Sequence, residues 1–275
     1  MSASTLEIVI KPRRGWQPVD VQEVWAHREL LGFLIWRDLK IRYKQTLLGG
    51  IWAILQPLFA MLVFTVFFHR LAGLHSDGPP YALFVYSGLI PWTFFANSVS
   101  GASNSLIGNQ HLISKVYFPR IFIPIAHIGA LLLDMALSLG LAFAMLLYYR
   151  WPLTPAVLAL PIFIVGTILA ATGVGLTFSA LNVNFRDMKY AVPFLIQMGI
   201  FVTPVIYPIN YVPERLQWLL GLNPMTGMVL GFRYALLGAP VAPSILLASF
   251  ATCLCVFIAG LLIFRRMELR FADII

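Results

Sequence analysis

Two stretches of this sequence carry no charge over the length needed to cross a lipid bilayer: Ile51 to Phe68, eighteen residues, and Ile245 to Phe264, twenty. A helix needs about 20 apolar residues to span a hydrocarbon core of about 30 Å. Similar runs recur between them, and the whole chain is 60% hydrophobic and 11% charged over 275 residues. Soluble domains carry about 25% charged residues. A cytosolic enzyme, a disordered chain, a disulfide scaffold and a nucleic-acid-binding domain all fit poorly. The expected fold is an all-α integral membrane protein, because a helix satisfies its own backbone polar groups in lipid.

The pattern predicts six transmembrane helices, at about 51–68, 81–107, 121–149, 153–181, 190–207 and 245–264. In the second, the early half is large and aromatic, and the late half holds Asn97, Ser98, Ser100, Ser103, Asn104 and Ser105. That late half should face protein or water. In the fourth, Gly166, Ala170, Ala171, Gly173, Gly175 and Ser179 predict close helix packing. Residues 1–20, with Pro12, Gly15 and Pro18, read as a cytoplasmic arm without the apolar core of a signal peptide. Residues 21–50 read as an interfacial amphipathic helix broken at Gly49-Gly50, and 51–275 as the transmembrane domain. On the interfacial helix Arg37, Lys40 and Lys44 share a face, Trp36 and Tyr43 fall roughly opposite, and Asp38 can pair with Arg42.

Residues 208–243 are apolar but broken by Pro213, Asn223-Pro224 and Pro240. Two half-length helices fit, Pro213–Leu222 and Met225–Leu237, within a segment 213–237. Charge decides whether they cross. Of 19 Lys and Arg, 15 fall on one side of a six-span arrangement, and Arg70, Arg150, Arg215 and Arg233 fall on the other. The excess of positive charge marks the cytoplasmic side, so both termini are expected there. The half-helices are then re-entrant from the outer side, making Asn223, Pro224 and Arg233 candidates for an outer gate.

No G-x-x-x-x-G-K-[ST] loop is present, no residues have metal-ligand spacing, and five of the eleven acidic residues precede the first span. The expectation is a transport subunit and not an enzyme, with no metal and no cofactor. Cys253 and Cys255 point in different directions on a helix, which argues against a disulfide between them. Asp134 is the one charge deep in a span; it reads either as a proton or ion relay with His127 or as a carboxylate bonded to neighbouring helices. The cluster Arg37, Lys40, Arg42 and Lys44 reads either as an anchor to anionic headgroups or as a site for a lipid diphosphate. Trp92, Phe94 and Phe95 suit lipid or core packing and also a sugar path.

The run Arg42-Tyr43-Lys44-Gln45-Thr46-Leu47-Leu48-Gly49-Gly50-Ile51-Trp52-Ala53-Ile54-Leu55-Gln56-Pro57 resembles the start of the first span in permease subunits of ABC polysaccharide exporters, those for O-antigen, capsule and teichoic acid. Lys115-Val116-Tyr117-Phe118-Pro119-Arg120, Asn184-Phe185-Arg186-Asp187, Thr203-Pro204-Val205-Ile206-Tyr207-Pro208, and Asn223-Pro224 with Arg233-Tyr234-Ala235-Leu236-Leu237-Gly238 agree in the same order. The likeness covers about 28–275. It implies a dimer of this chain with two copies of a separate ATP-binding subunit, in the inner membrane of a bacterium. It also implies that Lys115, Phe118, Pro119, Arg120, Arg186 and Asp187 meet the ATPase. Arg37, Lys40 and Arg42 would lie on a gate helix that meets an undecaprenyl-diphosphate-linked polysaccharide. Membrane lipids are further partners, and nucleic acid is not. The alternatives are an ABC exporter of drugs or small lipids, and a proton-coupled transporter working through Asp134 and His127.

Overall fold

Long apolar helices dominate the structure, a computed structural model that describes residues 25–44, 50–74, 76, 78–115, 118–185, 187–268 and 271. The expected arm 1–20, positions 21–24 and 45–49 of the expected interfacial helix, and Arg186 lie outside the described residues. All regular elements among the described residues are helical. In chain order they are α1 (Arg28–Lys44), α2 (Ile51–Phe64, widening into π-helical turns over Thr65–Leu71), α3 (Tyr81–Gly108), α4 (Gln110–Lys115) and α5 (Phe122–Tyr148). Next come α6 (Leu160–Asn184, led in by a 3-10 turn at Pro155–Ala159), α7 (Met188–Val202), α8 (Glu214–Gly221), α9 (Pro224–Leu237) and α10 (Pro243–Glu268).

Five of these are long and apolar enough to cross a membrane: Ile51–Leu71, Tyr81–Gly108, Phe122–Tyr148, Pro155–Asn184 and Pro243–Glu268. The chain is therefore an integral membrane protein by length and composition. The expected fifth span, 190–207, is shorter than its apolar run: α7 stops at Val202, and Thr203 is extended ahead of Pro204. A proline disfavours helical geometry in the residue before it. At 1.5 Å per residue α7 measures about 22 Å, below the usual hydrocarbon thickness.

The hub of the bundle is α3. Both α5 and α6 pack along it most extensively, and α10 covers the other side of α6. More than three-quarters of the apolar window of α3 is buried, against about a tenth for α2, which leaves Trp52, Phe59, Val63 and Phe67 exposed. The polar late half of α3 divides as its helical period dictates. Ser98, Ser103 and Ser105 are buried, while Asn97 and Ser100 are half-buried and Asn104 is exposed. The small residues of α6 serve close packing: at Gly173 and Gly260, backbone meets backbone. A Cβ on Gly260 would lie 2.2 Å from the Gly173 carbonyl oxygen, and one on Gly173 would lie 2.5 Å from that of Val256. With little hydrophobic drive between helices in lipid, such approaches are what hold two spans together.

The two half-length helices expected between 213 and 237 are found as α8 and α9. Within α9 every residue except Pro224 and Tyr234 is buried. Its start lies beside α10: the Cys253 thiol donates to the Pro224 carbonyl at 3.5 Å, ten residues into that helix. Ten residues correspond to about 15 Å. Its end lies beside the α5–α6 connection, where the Trp151 indole donates to the Leu237 carbonyl at 3.1 Å. Cys253 is buried and Cys255 exposed, as their spacing requires.

Candidate functional site

The functional candidates fall into three places, and the first is the contact of α1 with α5. Leu34 is 2% exposed and seats α1 on a cluster with Leu106, Phe118, Phe122 and Phe264. Further along, the Arg42 guanidinium lies 2.6 Å from Asp134 Oδ2, and the Tyr43 hydroxyl donates to Asp134 Oδ1. Burial, and next that hydrogen bond, hold the Tyr43 phenol well above its usual range, so it stays a donor. Asp134 is twelve residues past Phe122, about 18 Å along α5. So α1 climbs the side of α5. Tyr43, read from sequence as lying roughly opposite the basic face of an interfacial helix, turns inward onto α5, because a carboxylate in a span needs donors.

Asp38 was expected to pair with Arg42. The pairing present is with its neighbour Arg37, whose Nε and Nη2 donate to Asp38 Oδ1 at 3.0 and 2.8 Å. Asp38 Oδ2 also lies 3.9 Å from His127 Nδ1. Arg37, Asp38, Ile41, Arg42, Asn109, His127 and Leu131 line an open cavity of about 390 Å³ between α1, the end of α3 and α5. Lys40 and Lys44 are exposed and lie outside this lining, as do the exposed Phe33 and Trp36. The four cations read from sequence as one cluster therefore divide into two that border the cavity and two that do not. On the other side of Asp134, a void of about 10 Å³ is bordered by Gln56, Thr93, Asn97 and Ser138. A void of that size admits about one water.

The second place is the segment after α3. Lys115 is exposed at the end of α4, and Asp187 is exposed at the start of α7. Phe118 was expected to meet a partner, but it is 6% exposed and packs in the cluster of Leu106, Leu176, Phe264 and Phe271. Pro119 is buried as well. Arg120 is tied to the end of α10. Its Nη1 donates to the Glu268 carbonyl at 2.7 Å and its backbone N–H to Glu268 Oε1 at 3.1 Å, while Arg265 bonds the other carboxylate oxygen at 2.8 Å. A cation on the free carbonyls of a helix C-terminus is electrostatically favoured.

The third place surrounds α9. Asn223 is its N-cap: Oδ1 accepts from the Met225 N–H at 3.0 Å, and Nδ2 donates to Thr203 Oγ1 at 2.8 Å. Asn223→Ala should lower thermal stability by about 1 kcal/mol, the usual worth of a cap, read as a shift in the melting curve of detergent-purified protein. Arg233 is 2% exposed and donates to three backbone carbonyls: Phe84 O at 3.3 Å, Pro204 O at 2.7 Å and Val205 O at 2.5 Å. Its guanidinium carbon lies 3.6 Å from the centre of the Phe84 ring. Arg233 thus braces the chain around Pro204 against α3.

Sequence reasoning missed Tyr43 and Glu268 as partners. The signal for Tyr43 was present, since a lone aspartate in a span calls for donors and α1 carries several. Glu268 had no comparable signal.

A helical membrane body with a cation-bordered recess, and a sequence without a phosphate-cradling glycine loop, has the make-up of a transport permease. The chain belongs to the ABC-2 type transporter family, whose model it matches over residues 29–237. An O-antigen export system permease protein RfbA of Klebsiella pneumoniae is 31% identical over 249 residues, 90% of this chain and 95% of that protein. The protein of the same description from Myxococcus xanthus is 31% identical over 216 residues, 78% of this chain and 82% of its own length. The polysialic acid transport protein KpsM of Escherichia coli is 25% identical over 247 residues, covering 86% and 92%.

Proposed function

We propose that this chain is the membrane subunit of an ATP-driven exporter of an O-antigen-like polysaccharide, carried on a lipid diphosphate across a bacterial inner membrane. The observation that carries this reading is the nearly end-to-end similarity to O-antigen export permeases, 31% identity over 90% of the chain. Two copies of the chain enclose the path, and two copies of a separate ATP-binding subunit power it. A pair is physically reasonable because six spans alone can hardly enclose a channel wide enough for a hydrated sugar chain.

In this reading α7 is the sixth crossing, both termini are cytoplasmic, and α8–α9 dip in from the outer side. The burial of α9 along nearly its whole length supports a re-entrant pair, since irregular backbone at membrane depth needs protein around it. The cavity beside α1 receives the diphosphate, with Arg37 and Arg42 as its cations. Lys40 and Lys44, with Trp36 and Phe33 beside them, rest on the cytoplasmic headgroups. Asn223, Pro224 and Arg233 shape the outer end of the path; the last acts through its hold on the backbone. Lys115, Asp187 and Arg186 are the contacts with the ATPase, whereas Phe118, Pro119 and Arg120 relay that contact from inside to α10.

The test is genetic and biochemical. In a strain lacking this gene, surface polysaccharide should be lost and lipid-linked polymer should build up inside. Restoration should require the chain together with its ATPase. Lys115→Glu combined with Asp187→Lys should leave membrane levels unchanged while abolishing co-purification of the ATPase. Normal surface polysaccharide in the deletion strain would refute the function, and undiminished co-purification would refute the docking residues.

A further inference from the structure

We infer that Asp134 is a resident counter-ion for Arg42, which a lipid-borne diphosphate displaces on entering the cavity beside α1. The inference rests on the reading of that cavity as the diphosphate site. The Arg42 side chain is 38% exposed and borders the cavity, whereas the Asp134 side chain is 13% exposed and lies behind it. Arg42 is thus paired with an internal carboxylate while it lines the opening. Arg37 is held in the same manner by Asp38. Both guanidinium groups at the cavity wall thus rest on carboxylates of the chain itself.

A guanidinium fork matches phosphate oxygens as well as it matches a carboxylate, and a diphosphate carries more negative charge than one aspartate. A multiply charged ligand can win the exchange where a singly charged anion does not. Asp134 is not stranded by it: the Tyr43 hydroxyl keeps its bond, and the polar void beside Gln56, Asn97 and Ser138 lies on its far side. The exchange also has a mechanical result. Arg42 is on α1 and Asp134 on α5, so a ligand that takes Arg42 loosens the clasp between the two helices at its deepest point. Ligand charge then sets both the selectivity of the site and the attachment of α1.

The full-length chain with its ATPase, in nanodiscs of neutral phosphatidylcholine, is titrated with farnesyl diphosphate as the probe. Arg42→Gln should abolish saturable binding. Asp134→Asn should tighten it, lowering the half-saturating concentration roughly fivefold, the scale of removing one partly exposed competing ion pair. A residue that merely supported the fold would not yield tighter binding when neutralised. Asp134→Ser, smaller and also neutral, repeats the measurement if the asparagine variant fails to fold. Unchanged or weaker binding in the neutral variants, with Arg42→Gln still inactive, would overturn the exchange and leave the site standing. Wild-type binding by Arg42→Gln would overturn the site and the exchange with it. The same order of affinities with phosphatidylglycerol nanodiscs, and none with farnesyl diphosphate, would assign the exchange to ordinary anionic lipid and overturn the diphosphate as its ligand.

Discussion

Arg233→Met should leave little folded protein in the membrane. The substitution keeps the stem and removes a guanidinium that satisfies the carbonyls of Phe84, Pro204 and Val205. The Pro204 and Val205 carbonyls lose their donor at about 1–3 kcal/mol each, the Phe84 carbonyl keeps the Ser87 hydroxyl, and the contact of the guanidinium with the Phe84 ring is lost too, so the loss is on the order of 5 kcal/mol. That is comparable with the whole stability of many domains, about 5–15 kcal/mol. The measurement is the amount of monodisperse protein recovered from membranes, followed by its melting curve. Normal recovery combined with lost transport would instead make Arg233 a working part of an outer gate, as the sequence alone suggested.

Gly260→Leu should have the next largest effect. No side chain fits where α10 crosses α6, because the first added carbon would lie 2.2 Å from the Gly173 carbonyl oxygen. The obstacle is backbone, so it cannot be relieved by a rotamer change. Two spans must separate along a contact that is among the most extensive in the bundle. Overpacking of this kind costs about 1–3 kcal/mol or more. A clear fall in melting temperature is expected, with a smaller fall for Gly260→Ala. An unchanged melting temperature for the leucine variant would mean that the helices do not touch there.

The helices were largely legible in the sequence because lipid imposes length and composition on them. The run read as 121–149 is the helix Phe122–Tyr148, and the broken segment resolves into α8 and α9 at its prolines. The last span reaches Glu268, four residues past the apolar run, since Arg265 and Arg266 lie in its final turn without ending it. The run 190–207 reads too long because apolarity continues through Thr203-Pro204, where helical geometry does not.

The site was less legible. Helical spacing says which residues share a face and is silent about what that face meets. Arg37, Lys40, Arg42 and Lys44 look alike on paper, yet Arg42 is bound to a residue 92 positions away and Lys40 is exposed. Arg233 reads as a charge out of place, and only three carbonyls from two other segments explain it. Phe118 reads from the resemblance as a residue that meets the ATPase, but it is an anchor in a cluster assembled from six helices.

The bond between Arg120 and Glu268 has a mechanical consequence. It ties the short segment after α3 to the last turn of α10, and α10 is in turn locked to α6 by the glycine crossing. Those contacts make one stiff lever of the three parts, so force delivered at the segment after α3 should arrive along α10 and α6 together. By contrast, among the described residues only about a tenth of the apolar window of α2 is buried. A stroke applied to the lever should therefore appear as relative travel between this rigid block and the lightly covered α2.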